Sequence, residues 1–231
     1  MNYLMLVVSD GSFTEEIGAT MQEHTPKWVQ EMDARGARLL GNGLLGPDSA
    51  KTVRVRDGQT LVADGPFADT KEFIAGFDII VAENLDEAIQ IAAKHPMSWH
   101  FAIELRPFTP GLEMPQEWSY EDLRYMLMMF DGGGGDAPEI EGEVAATRDD
   151  WREAAAGKLV VAHGLEHRDT ATMVRVRDGQ VLLTDGPFAE TKEFLAGIAV
   201  LNSNEQEAIE LAAGFPLARF HMVEVRPFWG G

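Results

Sequence analysis

Residues 53–77 read VRVRDGQTLVADGPFADTKEFIAGF, and residues 174–198 read VRVRDGQVLLTDGPFAETKEFLAGI; 19 of the 25 aligned positions are identical, at a constant offset of 121. A period of this length is not the ~20–50 residues of a solenoid repeat. It is the size of a domain. The chain of 231 residues is therefore two copies of one fold. Copy one is read as residues 1–108, a linker as 109–122 and copy two as 123–231. Function is to be sought in what the copies share and where they differ.

The repeated stretch fixes its own local structure. In Val53-Arg54-Val55-Arg56 the valines face one side and the arginines the other, the period-two pattern of a strand. Asp57-Gly58 and Asp178-Gly179 suit the positive φ of a two-residue type I′ turn. The returning strand then sets Leu61 opposite Arg54. Upstream, the apolar run at 3–8 predicts a buried strand. Ser12 and Glu15 fit a capping box, so a helix is expected from near Phe13. His24-Thr25-Pro26 predicts a kink or a restart. Trp28, Val29 and Met32 should face the core, with Gly36 ending the helix.

Further strands are expected at 37–45, 72–81 and 100–107. Asn84 with Glu87 predicts a second helix, which His95-Pro96 stops. Without the hairpin the order is β-α-β-β-α-β, a ferredoxin-like unit. Copy two repeats it: Asn204 and Glu207 repeat the cap, and at an offset of 120 Pro216 repeats Pro96 and Glu224-Val225-Arg226-Pro227-Phe228 repeats Glu104-Leu105-Arg106-Pro107-Phe108. The fold class read from this is α+β, two ferredoxin-like repeats.

Composition narrows the function. The net charge is −19, with 19 basic against 38 acidic residues. Phosphate backbones need clustered Lys and Arg, so direct nucleic-acid binding is not expected. There is no cysteine, which removes disulfides and thiolate chemistry and fits a reducing cytoplasm. No apolar stretch approaches the ~20 residues of a membrane helix, and the N-terminus lacks the basic region of a signal peptide.

DGPFAxTKE, preceded by VRVRDG and closed by E-[LV]-RPF, resembles the DGPF branch of the YCII-related proteins, over nearly the whole chain and twice. The resemblance implies a dimeric α+β barrel, here paired within one chain. It implies a small-molecule enzyme of the isomerase, lyase or dehydrochlorinase type, using metal-free proton transfer in a barrel cleft. It equally allows a non-catalytic ligand-binding or regulatory module, in some relatives associated with an extracytoplasmic-function sigma factor. No cofactor is implied. The family's helix-one histidine matches His24, before Trp28. Aligning Trp28 with Trp151 puts Thr147 at that place in copy two.

His24 is the candidate acid or base, because an imidazole titrates close to neutral pH. Asp64 is the candidate carboxylate to orient it; Asp64 and Asp185 equally suit a turn-closing role. Arg54, Lys71, Asp185 and Lys192 are the candidate substrate-binding residues, against a simpler reading as exposed or ion-paired side chains. No metal site is expected. His163 and His167 flank Gly164 at a strand end, where their spacing means little. His100 and His221 do not share strand parity.

Overall fold

The two hairpins form as the turn chemistry demands, yet each pairs with the sheet of the other repeat. The computed structural model describes residues 1–66, 71–114, 118–132, 137–188 and 193–230, without the side chains of 120, 137–141 and 143–145. Copy one supplies β1 (Asn2–Ser9), α1 (Glu15–Ala34), β2 (Arg38–Gly43), β3 (Lys51–Arg56), β4 (Gln59–Asp64), β5 (Phe73–Val81), α2 (Leu85–Lys94), a 3₁₀ turn (Pro96–Trp99) and β6 (Ala102–Pro107). Copy two supplies β7 (Tyr125–Asp131), α3 (Ala137–Ala154), β8 (Leu159–Gly164), β9 (Thr172–Arg177), β10 (Gln180–Asp185), β11 (Phe194–Leu201), α4 (Glu205–Gly214), α5 (Leu217–Phe220) and β12 (Met222–Pro227). This is the ferredoxin-like order, twice, with an added hairpin in each repeat.

Each sheet has six strands. One runs β10-β9-β6-β1-β5-β2 and the other β4-β3-β12-β7-β11-β8. The β9–β10 hairpin of copy two docks on β6 of copy one, with Ile103 opposite Val174. The β3–β4 hairpin of copy one docks on β12 of copy two, with Val223 opposite Val53. The compact units therefore cut across the sequence repeats. The first unit gathers Met1–Leu44, Thr70–Leu112 and Leu165–Glu190; the second gathers Leu45–Asp69, Glu113–Gly164 and Thr191–Gly231.

Local chemistry accounts for most boundaries. Asp57 and Gly58 sit at φ 51° and 73°, Asp178 and Gly179 at 52° and 74°, and Leu61 stands opposite Arg54. Helix α1 departs from expectation at its start. Thr14, not Ser12, caps it, its Oγ1 accepting from the Ile17 N–H at 3.2 Å. Ser12 instead donates to Asp10 at 2.5 Å, closing the preceding turn. Such a cap stabilises by about 1 kcal/mol. The helix runs on through Pro26 to Ala34 without restarting, because the packing of Trp28 and Met32 beyond the proline holds both halves in one element. The predicted box at Asn204 and Glu207 is complete. At Asn84 only half of it forms, since Glu87 reaches the Glu83 N–H.

Two cores lie between sheet and helices. In the first unit Met5, Val7, Ile80 and Ile103 meet Trp28 and Met32 of α1 and Ala88, Ile91 and Ala92 of α2. In the second, Leu127, Met129, Ala199 and Val223 meet Trp151, Ala155, Ala208 and Leu211. The tryptophans are equivalent: the Trp28 indole N–H donates to the Ile91 carbonyl at 3.4 Å, that of Trp151 to Leu211 at 2.8 Å. Strand register refines one alignment. Phe73 stands opposite Ser9 and Phe194 opposite Asp131, so Asp131 takes the place of Ser9. Among the described residues no helix is long and apolar enough to cross a membrane.

Candidate functional site

The DGPF and ExRPF segments meet, and their meeting fastens the exchanged hairpin. Gly186, at φ +95°, makes the bend after Asp185, which a residue with a Cβ resists. Its N–H donates to the Ala171 carbonyl at 2.9 Å. Beyond the bend the Phe188 N–H donates to buried Glu104 at 2.9 Å. Arg106 lies 3.4 Å from the other oxygen of Glu104 and donates to the Glu166 carbonyl at 2.7 Å. Burial pushes the Glu104 carboxyl above its ordinary range, against the pull of the Phe188 N–H and Arg106. In the second unit Gly65 repeats the bend at φ +92°. Arg226 there bonds Glu224 and, at 3.2 Å, the Leu45 carbonyl.

The sequence-predicted site residues are divided between the units. Asp64 ends β4 in the second unit, exposed, its carboxylate 2.6 Å from Lys51 Nζ. The lysine hydrogen bond holds its carboxyl below the usual range. Asp185 ends β10 in the first unit, where Thr172 stands opposite in place of the lysine. Arg54 lies in the second unit. Its guanidinium reaches Met222 Sδ at 3.5 Å, and its buried Nε finds no hydrogen-bond partner among the described residues. Lys71 is exposed just before β5; the adjacent Glu72 pairs with Arg175 at 3.4 Å. Lys192 lies outside the described residues.

His24 belongs to the first unit, and the structure sets beside it Trp99 and Thr20, which the sequence did not single out, and His100, which it did not connect with His24. Its ring stands edge-on to the half-exposed indole of Trp99, centroids 5.3 Å apart. One helical turn earlier, Thr20 Oγ1 is 3.0 Å from His100 Nε2. The carboxylate near His24 is Glu23, at 3.9 Å. The turn that carries Trp99 and His100 is pinned by the exchanged hairpin. Arg177 donates to the carbonyls of Ser98, Trp99 and His100 at 3.1, 2.9 and 2.8 Å. Arg56 does the same in the second unit for Ala218, Arg219, Phe220 and His221. These two arginines tie off carbonyls at the end of a helical turn.

Beneath this face lies a buried ionic network. Arg38 Nε donates to Asp78 Oδ1 at 2.5 Å, and the same guanidinium reaches the Gly41 carbonyl at 2.8 Å and Asp33 at 3.3 Å. His95 Nε2 lies 3.8 Å from Asp78 Oδ2. His95 Nδ1 accepts the Met97 N–H at 3.2 Å. That bond assigns the ring proton to Nε2. Burial pushes the Asp78 carboxyl up to about 6 despite the opposing pull of Arg38. Burial, with Arg38 adding to it, pushes the His95 imidazole down to about 3. Gly41 is obligatory here, since a Cβ would lie 2.0 Å from Asp78 Oδ1.

Among the described residues the second unit has no such carboxylate–imidazole pair at these places, though the Arg152 guanidinium donates to the Ala162 carbonyl at 2.5 Å, as that of Arg38 does to Gly41. Ala162 opposite Ala199 replaces Gly41 opposite Asp78. Leu159 replaces Arg38, and Phe215 replaces His95 against its tryptophan. At the surface Thr147, Arg219 and Phe220 stand for His24, Trp99 and His100. The second unit has instead His221 Nε2 3.2 Å from Asp131 Oδ1, at the places of Phe101 and Ser9. A position-by-position comparison of the copies would have found both differences. Among the described residues no three His, Asp or Glu side chains gather as a metal site.

The YCII-related domain model matches residues 1–110 and again 124–229. An uncharacterized protein of Rhizobium meliloti (strain 1021) is 35% identical over 99 residues, covering 40% of this chain and 77% of that protein.

Proposed function

Because the chain belongs to the YCII-related family, as a tandem two-copy member, we propose that it transfers a proton on a small organic molecule, as an isomerase, a lyase or a dehydrochlorinase does. The working face is that of His24 in the first unit. One observation carries this: His24, Trp99, His100 and Thr20 gather on one surface, and copy two keeps neither histidine nor the indole there. His24 takes a proton from a carbon beside an electron-withdrawing group. It then returns the proton at another position, or the electron pair expels a leaving group. Trp99 offers a flat apolar wall. His100, tethered to Thr20, offers a second ring that exchanges protons. Asp64, held by Lys51 in the second unit, has no part in this reading.

A second reading is a ligand-binding module without turnover. The openness of the face favours it: the His24 side chain is 40% exposed, whereas proton abstraction from carbon gains from excluding water. Deuterium exchange separates the two without a known product. A panel of small carbon acids is incubated with the protein in D₂O and followed by NMR. Catalysed exchange that His24→Ala lowers by ~10²–10⁴-fold supports the enzyme. Ligands that shift His24 and Trp99 signals without exchange support the module. Ligands that perturb only Thr147 and Arg219 would place the working face in the other half.

A further inference from the structure

Copy two folds with apolar side chains at the places of Arg38, Asp78 and His95, so the network of copy one requires another reason. We infer that Asp78 and His95 are positioning residues: through the turn that His95 opens, they hold Trp99 and His100 against the His24 face of α1. The inference rests on the reading of that face as the working site.

His95 ends α2 and caps the Pro96–Trp99 turn through the Met97 N–H. Three contacts fix its ring. The Met97 N–H sets one nitrogen, Asp78 lies toward the other, and the Trp28 indole packs edge to face, centroids 4.5 Å apart. Trp28 is one turn beyond His24 on the same helix. Asp78 is itself fixed by Arg38, and Arg38 by Asp33 and the Gly41 carbonyl. The turn thus has its entry anchored in the ionic network and its exit in Arg177. Ser98, wholly buried between them, donates to the Ala93 carbonyl at 3.1 Å.

Packing alone does not require the entry anchor. Copy two keeps the tryptophan, the edge-to-face ring, with centroids 5.0 Å apart, and the arginine at the exit. Its turn is α-helical, Leu217–Phe220, and presents Arg219 and Phe220. Buried ion pairs are often replaceable by apolar groups with no loss of stability, and in some proteins they restrict a core to one geometry. Here the restricted element is the one that carries the indole and the second imidazole.

The test grafts the copy-two set into copy one of the full chain: Arg38→Leu, Gly41→Ala, Asp78→Ala and His95→Phe together. The readout is the indole ring-current shift on the His24 ring protons, measured without ligand, beside the melting temperature. The inference expects a melting temperature held or raised and the His24 shift lost. A graft that keeps the His24 shift overturns it, whatever happens to the melting temperature. If the graft does not fold, Asp78→Asn and His95→Gln carry the same readout, and native His24 shifts in both overturn the inference. The ring-current result needs no ligand. If no compound in the panel touches His24, the functional reading fails while the positioning role is still decided.

Discussion

The core of the first unit holds Arg38, Gly41, Asp78 and His95 where that of the second holds Leu159, Ala162, Ala199 and Phe215. Around them the two cores match: strand order, bulges, the tryptophan bonded to the second helix, the docked hairpin. The difference separates what the fold requires from what one half has in addition. Desolvating a carboxylate and a guanidinium costs several kcal/mol each before their attraction offsets it. The second unit avoids that cost at these four places and folds the same way.

The comparison breaks hardest when one ion is left without its partner. Asp78→Ala takes the nearest carboxylate from the Arg38 guanidinium, whose side chain is 4% exposed, and leaves it Asp33 and the Gly41 carbonyl. A loss of about 3–5 kcal/mol is expected by chemical denaturation. Ala199→Asp in the other half puts a carboxylate opposite Ala162 with Leu159 where the arginine would be, and should cost a similar amount. If Ala199→Asp is tolerated also with Arg152→Ala, which removes the guanidinium on the Ala162 carbonyl, the second core is wetter than its burial indicates, and the contrast between the halves dissolves.

A smaller effect tests the glycine. Gly41→Ala drives a Cβ into Asp78 and the Arg38 guanidinium, and overpacking of this kind costs about 1–3 kcal/mol. In the second unit the change runs the other way. Ala162→Gly removes a side chain from a strand and should cost about 0.5–1 kcal/mol through backbone entropy. Gly41→Ala should cost clearly less once Asp78→Ala is also present, since only the Arg38 Nη2 contact at 2.7 Å remains. That double-mutant cycle ties the glycine to the carboxylate; additive losses would show that Gly41 serves something else.

Much of this was legible in the chain. The turns at Asp57-Gly58 and Asp178-Gly179, the caps at Asn84 and Asn204 and the element order follow from local rules, because each depends on neighbours within a few residues. The hairpin exchange was not legible. Turn chemistry and strand alternation are the same whether β9–β10 docks on its own repeat or on the other, and the choice lies in contacts such as Ile103 with Val174. The ionic network hid for a different reason. Arg38, Asp78 and His95 lie far apart in sequence, each a single polar residue beside apolar ones. His24 was named from a family resemblance, while Trp99 and His100, which give it a surface, sit in a turn with no pattern of its own. The N-cap was misplaced at Ser12 because Ser12 with Glu15 has the spacing of a capping box, whereas Thr14 caps without one, having Ile17 three residues on; Asp10 took the serine hydroxyl.

The smallest expected effect is a cancellation. The Asp78 carboxyl is raised from 3.8 to about 6. Its neutral form therefore contributes stability that is present below the unfolded pKa and lost as pH rises through about 6. The His95 imidazole is lowered from 6.5 to about 3. Its neutral form contributes stability that is present above 6.5 and lost as pH falls through about 3. Between about pH 4 and 6 the folded core holds one proton more at Asp78 and one fewer at His95, so the two slopes oppose each other. Wild type should show little pH dependence from this pair in that window, and the remaining charges that face it, Arg38 and Asp33, do not reverse the signs. Each single variant exposes one slope. His95→Phe leaves Asp78, so unfolding free energy relative to the four-residue graft should fall as pH rises from about 4 to about 6. Asp78→Asn leaves His95, so the same difference should rise across the same window. Subtracting the graft removes the background of the other carboxylates. Opposed slopes in the two variants together with a clear slope in wild type would mean that the pair titrates as an imidazolium–carboxylate couple across the 3.8 Å gap, and that the neutral ring assigned from the Met97 N–H is not the form present in the folded core.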